Sequence, residues 1–257
     1  MQFLARAALI SVTALAAVVS VLAVAITGAG PARAVSSATM VSLGDSVPSG
    51  SQCRCTPFPT QYAGKVAAHT GRHTRMINYA FAGATSRSVL QQVGSASVRR
   101  TVQSSSTVLV MVGANDFVRP FSRVLHHRQR ARAAYRPVAK RVQTNLTATI
   151  RSLQRLRPGI RVLVVGYWNV VKDGNVGRRA YGRWGMSKAN QATSYANAAL
   201  GRAVGATRVT YVSTYKPFKG ADGTRNPTRL LTADGDHPDA QGHALIAAVL
   251  YGAAPQG

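Results

Sequence analysis

The chain has 257 residues, of which 32 are lysine or arginine and 7 are acidic, so its formal charge at pH 7 is +25. All the acids are aspartates, which excludes the glutamate-containing helices of metalloproteases and glycosidases built on paired glutamates. A chain this basic is expected to adhere to polyanions such as anionic wall polymers and acidic lipid head groups, although abundant arginine and alanine also fit genomic base bias. No zinc-finger, basic-zipper or RNA-recognition motif accompanies the charge, so we do not expect a specific nucleic-acid partner.

The first 34 residues have the pattern of a secretory signal peptide. A short basic start is followed by an apolar run from residue 7 to about residue 29 and then by the sequence PARA. Ala-x-Ala after an apolar core is a signal-peptidase pattern, so we predict cleavage after Ala34 and secretion, with an uncleaved membrane anchor as the alternative. Cleavage would remove two arginines, leaving residues 35–257 with a formal charge of +23. This length suits one domain.

Strands and helices are predicted to alternate along the mature chain. Strands are predicted at residues 39–43, 75–80, 107–112, 160–167 and 209–212. Helices are predicted at residues 59–70, 88–103 with a break near Gly94, 137–157 with Pro137 at the first position, 187–204 with Ser187 as N-cap, and 239–251. Residues 119–136 lack a clean period and are expected to form a loop or a flap over a site, and residues 168–185 are expected to form a Gly- and Arg-rich loop. This alternation predicts a five-stranded parallel sheet covered by helices on both faces.

Polar segments follow the first three predicted strands, and a fourth polar segment precedes the last helix. They are residues 44–46, 82–85, 113–116 and 234–243. Because the carboxyl ends of parallel strands meet at one edge of a sheet, we expect the first three segments to converge. Acyl transfer needs such a meeting of groups: a serine nucleophile, a histidine that takes its proton, a carboxylate that orients the histidine, and donors for the oxyanion.

These segments resemble the four blocks of the SGNH hydrolase superfamily, also called GDSL esterases and lipases. The matching blocks are GDS at 44–46, NYAFAGAT at 78–85, GAND at 113–116 and DGDH at 234–237, in the family's order. The resemblance implies a flavodoxin-like α/β/α sandwich with Ser46 as nucleophile, His237 as general base and Asp234 as the orienting acid. It also implies an oxyanion hole made by the N–H groups of Ser46 and Gly83 and by the Asn115 side chain. The chain lacks the Gly-x-Ser-x-Gly elbow of α/β-hydrolases.

Structural roles compete with these catalytic ones. Ser46 could be an ordinary turn residue, and Asp45 is expected to cap the turn rather than to act in catalysis. Gly83 could serve only as a left-handed turn position, which is compatible with oxyanion donation. Asn115 could instead cap a helix that starts at Asp116, which would occupy its side chain.

Other acids and histidines compete for the acid–base roles. Asp239 is expected to cap the last helix. Asp236 is directly adjacent to His237 in the chain, which makes it difficult for its carboxylate to contact the His237 ring. His243 lies inside the last predicted helix, where it would be packed or solvated. The remaining histidines are expected at the surface or at a helix end: His69, His73, His126 and His127.

Cys53 and Cys55 are the only cysteines. We predict a local disulfide between them, because a metal site would need further ligands and no matched Cys or His pair lies nearby in the sequence. Closing so small a loop is expected to stabilise the fold little.

The leading hypothesis is a secreted, monomeric serine esterase or lipase that hydrolyses carboxylic esters through an acyl-serine intermediate, without a metal or cofactor. Its substrates would be small-molecule, lipid or glycan esters, and its charge could hold it electrostatically at an anionic cell wall or membrane surface. The alternative is a non-catalytic, cationic wall- or polyanion-binding protein on the same scaffold.

Overall fold

The computed structural model describes residues 37–127 and 129–254. The predicted signal peptide, residues 1–34, lies outside the described residues. Among the described residues, no helix has the length and apolar character needed to cross a membrane.

One all-parallel sheet runs through the domain. Its strands are β1 (Ala38–Gly44), β2 (Thr74–Asn78), β3 (Thr107–Met111), β4 (Arg161–Val165) and β5 (Thr210–Val212). Their order in the sheet is β2-β1-β3-β4-β5. The central strand β3 is buried along its whole length, as the unbroken apolar run TVLVM predicts for a strand covered on both faces.

The helices form two layers against this sheet. They are α1 (Ser46–Ser49), α2 (Phe58–Thr70), α3 (Ser86–Val93), α4 (Ala96–Gln103), α5 (Ala114–His127), α6 (Ala131–Leu156), α7 (Gly174–Thr207), α8 (Tyr215–Lys219) and α9 (Ala240–Ala253). A 3₁₀ turn spans Thr228–Leu230. Helix α6 packs against α3, α5 and α7, whereas α2 packs against α9. The prediction of a three-layer α/β/α sandwich around a five-stranded parallel sheet is confirmed.

The basic segment 119–136 is not the predicted loop, because α5 and the first part of α6 occupy it. The buried residues of α5 recur at helical spacing and include Phe117, Phe121 and Val124. Phe117 lies before residue 119, so the segment 119–136 contains only part of this helical pattern. Pro137 lies inside α6 rather than at its start. An internal proline costs one backbone hydrogen bond, and burial of apolar side chains such as Tyr135 offsets that loss.

The predicted loop 168–185 is also largely helical. Helix α7 begins at Gly174, with Asp173 as its N-cap, so Ser187 lies inside the helix and not at its start. Gly182 interrupts the helix with φ 61° and ψ −178°. A non-helical glycine inside the helix explains why no single helical period runs through this part of the sequence.

The strand order places a crevice at the carboxyl ends of β1 and β3. The chain passes from β1 outward to β2 and then returns to β3 on the other side of β1. Open α/β sheets bind their ligands at this kind of switch point. At the end of β1, Gly44 has φ 149°, and a Cβ there would overlap the Met111 carbonyl oxygen. Glycine is therefore required where the chain leaves the sheet, immediately before Asp45 and Ser46.

Candidate active site

A cleft of about 220 Å³ lies at this switch point. Four parts of the chain line it: the turn after β1, the first turns of α5, the loop after β4 with the first turns of α7, and the loop before α9. The lining includes Ser46, Asn115 and His237 among the predicted site residues. Asp234 and Gly83 are not part of the lining. Asp234 contacts the lining residue His237, and Ala84, which follows Gly83, accepts a hydrogen bond from the lining residue Asn115.

Ser46 is the first residue of the short helix α1. Asp45 is the N-cap of this helix, and its Oδ1 accepts a hydrogen bond from Val47 N–H at 3.1 Å. Gly50 ends the helix in the left-handed conformation. Because Ser46 is at the first helical position, its own N–H has no intrahelical acceptor, and it has none elsewhere in the described part of the chain.

Asp45 is a buried structural residue, as predicted. Its Oδ2 accepts a hydrogen bond from the Tyr167 hydroxyl, which comes from the end of β4. Burial raises the pKa of Asp45 to about 7, although the hydrogen bonds from Tyr167 and Val47 act in the opposite direction. The carboxyl thus joins the carboxyl ends of β1 and β4 beneath the cleft.

Asp234 holds the ring of His237. Its Oδ2 lies 2.6 Å from His237 Nδ1. Its Oδ1 accepts from the N–H groups of Asp236 at 2.8 Å and His237 at 3.1 Å and from the Thr232 hydroxyl at 2.7 Å. Partial burial acts to raise the pKa of Asp234, but these hydrogen bonds together outweigh it and lower the pKa to about 2.

The ionised state of Asp234 decides which nitrogen of His237 carries the proton. A carboxylate can only accept hydrogen bonds, so His237 Nδ1 donates. In the neutral ring Nε2 is then unprotonated and can take a proton. Ser46 and His237 line the same cleft, and no hydrogen bond joins the Ser46 hydroxyl to the ring. Such bonds are often long before a substrate is bound.

Gly83 and Asn115 are linked through the turn after β2. Gly83 has φ 79°, a left-handed conformation that favours glycine, as expected for a turn position. Its N–H has no acceptor among the described residues. Phe81 N–H donates to the Gly44 carbonyl at 3.1 Å, and Asn115 Nδ2 donates to the Ala84 carbonyl at 3.0 Å. These two contacts hold the turn against the ends of β1 and α5.

Asn115 is not a helix N-cap. Helix α5 begins at Ala114, so Asn115 is already inside its first turn. Since Nδ2 carries two N–H groups and one donates to Ala84, the second can donate to a group in the cleft that Asn115 lines.

Asp116 anchors the same motif. Its two carboxylate oxygens accept from the N–H and the hydroxyl of Ser86, each at 2.8 Å. Burial raises the pKa of Asp116. This contact joins the start of α5 to the start of α3.

The competing acids have other positions. Asp239 is the N-cap of α9, as expected, and accepts from Gly242 N–H at 2.9 Å. Asp236 lines the cleft, but no side-chain hydrogen bond joins its carboxylate to His237. Burial raises the pKa of Asp236, while the nearby His237 and Lys172 act to lower it. Of these acids, Asp234 is the one whose side chain contacts the His237 ring.

His243 is packed and not in the cleft. It is fully buried in α9, is stacked on Phe58 and accepts the Phe58 N–H on Nδ1 at 3.2 Å. Burial lowers the pKa of His243 to about 4. The other competing histidines, His69, His73, His126 and His127, are exposed.

A disulfide joins Cys53 and Cys55. A ring nitrogen of His243 lies within 4.8 Å of both sulfurs, so the fold places a third metal-ligand type beside the pair that the sequence shows. Sulfurs bonded to each other are not thiolates and do not offer a zinc site.

The comparisons with known proteins identify the family of the chain. The model of the GDSL-like lipase/acylhydrolase family matches residues 42–245. The chain belongs to this family. It is therefore a carboxylic ester hydrolase of the GDSL, or SGNH, type, and the resemblance noted in the sequence is confirmed. No match was found among curated protein sequences.

Solved structures of similar fold include several ester hydrolases. The lipase Lip_vut3 from a goat rumen metagenome has a TM-score of 0.70 at 16% identity, over 86% of this chain and 100% of that chain. Phospholipase A1 from Streptomyces albidoflavus has a TM-score of 0.60 at 20% identity, over 85% of this chain and 100% of that chain. An extracellular lipase from Streptomyces rimosus has a TM-score of 0.60 at 20% identity, over 84% of this chain and 100% of that chain. At these identities the likeness shows the fold alone.

Sequence reasoning missed the part of the GDSL cleft contributed by the loop after β4. Tyr167, Asn169 and Lys172 line the cleft there, and Tyr181 from α7 joins them. A signal was available, because these residues follow a predicted strand in the same way as the three motif segments do. No motif in the sequence links these residues to the catalytic segments.

Proposed function

We propose that this GDSL hydrolase cleaves carboxylic esters with a Ser46–His237–Asp234 triad. Ser46 attacks the ester carbonyl while His237 Nε2 takes the hydroxyl proton, and Asp234 holds the ring and balances the imidazolium charge. The alcohol leaves with a proton returned by His237, and water then hydrolyses the acyl-serine by the same steps. The 2.6 Å contact between His237 and a strongly acidic Asp234, facing the cleft that holds Ser46, carries this proposal.

The proposed oxyanion hole consists of Ser46 N–H, Gly83 N–H and the second N–H of Asn115 Nδ2. Its support is that both backbone donors lack an acceptor in the described part of the chain and that Asn115 lines the cleft. Removing one such donor typically costs about 3 kcal/mol of transition-state stabilisation.

The experiment is hydrolysis of p-nitrophenyl esters from acetyl to long acyl chains by the mature protein and by Ser46→Ala. We expect the substitution to lower kcat by roughly 10⁵-fold or more, because no other group in the cleft replaces the nucleophile. We also expect short acyl chains to turn over best, because a cleft of about 220 Å³ is smaller than most small-molecule sites.

Ser51→Ala is the matched control, because the Ser51 hydroxyl contacts that of Ser49 and does not line the cleft. A serine-directed phosphonate should label the wild-type protein and Ser51→Ala at Ser46. Turnover that survives in Ser46→Ala would contradict the assignment of the nucleophile.

The proposed function includes secretion as a monomer after cleavage behind Ala34. The signal-peptide pattern in residues 1–34 supports it. The mass of the protein recovered from culture medium should then match a chain that begins at Val35, and a secreted chain with another start would refute the cleavage site.

A further inference from the structure

Two cavities larger than the catalytic cleft meet on the exposed side of α7. Their volumes are about 930 Å³ and about 810 Å³. Ser194 lines both, so the two cavities adjoin at this residue, and we call them together the basic groove. Beyond Gly182, which interrupts the helix, the lining residues of α7 extend from Arg183 to Arg202, a distance of about 28 Å at 1.5 Å per residue.

Among the residues that the structure describes, seven lysine and arginine side chains line the basic groove in addition to Lys219: three in the first part and four in the second. Asp173 is the one carboxylate among the described lining residues, and a buried ion pair with Lys219 at 2.8 Å compensates it. Among the described residues, no carboxylate forms a salt bridge with any of the other seven cations. The groove is thus a concave surface of one charge sign.

The cations on α6 are regularly spaced. Arg132, Arg136 and Lys140 follow each other at four-residue steps and are exposed. Four residues of helix advance about 6 Å along the axis, so these charges form a row on one side of the groove. On the other side, Gln143 Oε1 accepts from Arg202 Nε at 2.8 Å and orients its guanidinium. A row of this kind fits a linear ligand with repeated negative charges.

The uncharged lining of the groove consists largely of hydroxyl and amide side chains. Ser187, Gln191 and Thr144 are examples, and they suit the hydroxyl groups of a sugar or polyol. The aromatic side chain in the lining, Tyr195, is half-buried and packs edge-on against Tyr135. Single-stranded nucleic acids are usually held by stacking successive bases on several aromatic faces, and Tyr195 is the one aromatic side chain among the described lining residues.

We propose that the basic groove binds a linear phosphodiester polymer of polyol or sugar units that carries no bases. Arginine guanidinium groups bind phosphate oxygens through paired hydrogen bonds, and the hydroxyl and amide side chains between them would bind the units. A linear chain that lies in a groove can contact both of its walls, whereas a flat membrane surface cannot enter the groove. This site is separate from the catalytic cleft, and its occupancy does not require ester hydrolysis.

The test is calorimetric titration of the mature protein with poly(glycerol phosphate) at about 0.15 M salt. The groove variant is Arg136→Gln, Lys140→Gln and Arg183→Gln combined. The control variant removes the same charge from exposed arginines elsewhere, as Arg72→Gln, Arg100→Gln and Arg151→Gln combined. We expect the groove variant to weaken binding by about tenfold or more, because each lost phosphate contact also loses its counterion release. The control variant should bind within about twofold of the wild type.

Hydrolysis of p-nitrophenyl acetate checks that both variants are folded, since none of the six substituted residues lines the catalytic cleft. Equal weakening in the two variants would show that only net charge matters and would overturn the proposal. So would a groove-dependent affinity for single-stranded DNA or for anionic lipid vesicles that exceeds the affinity for poly(glycerol phosphate). Absence of binding to poly(glycerol phosphate) by the wild type would overturn it as well.

Discussion

The turn after β1 and the loop before α9 each place an aspartate next to a residue of the cleft, and the two aspartates have opposite pKa shifts. Asp45 precedes Ser46, is fully enclosed and has its pKa raised to about 7 by burial. Asp234 lies three residues before His237, remains partly exposed and has its pKa lowered to about 2. Asp45 accepts hydrogen bonds from two groups, whereas Asp234 accepts from four.

Proximity to the reacting groups therefore does not decide which carboxylate is suited to support a histidine. A carboxyl that is half protonated near pH 7 cannot hold a permanent negative charge beside an imidazolium. A carboxyl surrounded by donors and partly open to water can. The role of Asp234 can therefore be tested by activity, and the role of Asp45 by the pH dependence of stability.

Among substitutions of these two aspartates, the largest effect is expected for Asp234→Asn. Oδ1 already accepts three hydrogen bonds, so the asparagine oxygen would stay there and its NH₂ group would face His237 Nδ1. That arrangement places the imidazole proton on Nε2, where it blocks general-base action. We expect kcat/KM for p-nitrophenyl acetate to fall by about 10⁴-fold.

Asp236→Asn is the matched control, because it removes the same charge two residues away without removing a hydrogen bond to the ring. We expect kcat/KM to fall by about fivefold or less, the worth of one partly screened charge near His237. If the two variants lost activity equally, local charge rather than the tautomer of His237 would explain the role of this loop.

A smaller effect is expected for Asp45 in the pH dependence of unfolding. Its pKa is higher in the folded protein than in the unfolded chain, so the folded state holds the extra proton between about pH 4 and pH 7. The contribution of Asp45 to the free energy of unfolding therefore falls as pH rises through this window, by roughly 4 kcal/mol.

His243 acts in the opposite direction. Its pKa is lowered from 6.5 to about 4, so its contribution is lost as pH falls from about 6.5 to 4, by roughly 3 kcal/mol.

Urea unfolding of the wild type, Asp45→Asn and His243→Gln across pH 4 to 8 separates the two contributions. Relative to the wild type, Asp45→Asn should gain stability as pH rises, and His243→Gln should gain it as pH falls. Curves that run parallel to the wild type in either variant would contradict the assigned pKa shift. The comparison uses slopes, so a uniform loss of stability from the substitution does not affect it.

Much of the fold and the site was predictable from local sequence. Strands β3 and β4 were predicted because continuous apolar runs of this length are typical of strands buried on both faces. The structure places Ser46, Asn115 and His237 on one cleft. The segments of Ser46 and Asn115 follow the neighbouring strands β1 and β3, which is the convergence that the sequence predicts. The cap roles of Asp45 and Asp239 followed from short-range turn chemistry, which needs no distant partner.

The features that were wrong or missed depend on contacts between distant residues. Helix α5 and the first turns of α6 replace a predicted flap, because burial of Phe117, Phe121 and Tyr135 outweighs a basic composition and an internal proline. His243 lies beside Cys53 and Cys55 although nearly 190 residues separate them, which no spacing rule could indicate. The opposite pKa shifts of Asp45 and Asp234 likewise depend on what surrounds each carboxyl after folding.

The parallel α/β architecture, the family and the order of the motif segments can be predicted from the sequence, since they depend on periodicity and short-range chemistry. The four hydrogen bonds that Asp234 accepts, the donors that lack an acceptor, and the seven cations that line the basic groove among the described residues are visible only after folding. The physical reason is that burial, hydrogen-bond partners and the summed field of charges are properties of neighbours in space, which the chain acquires only when it is folded.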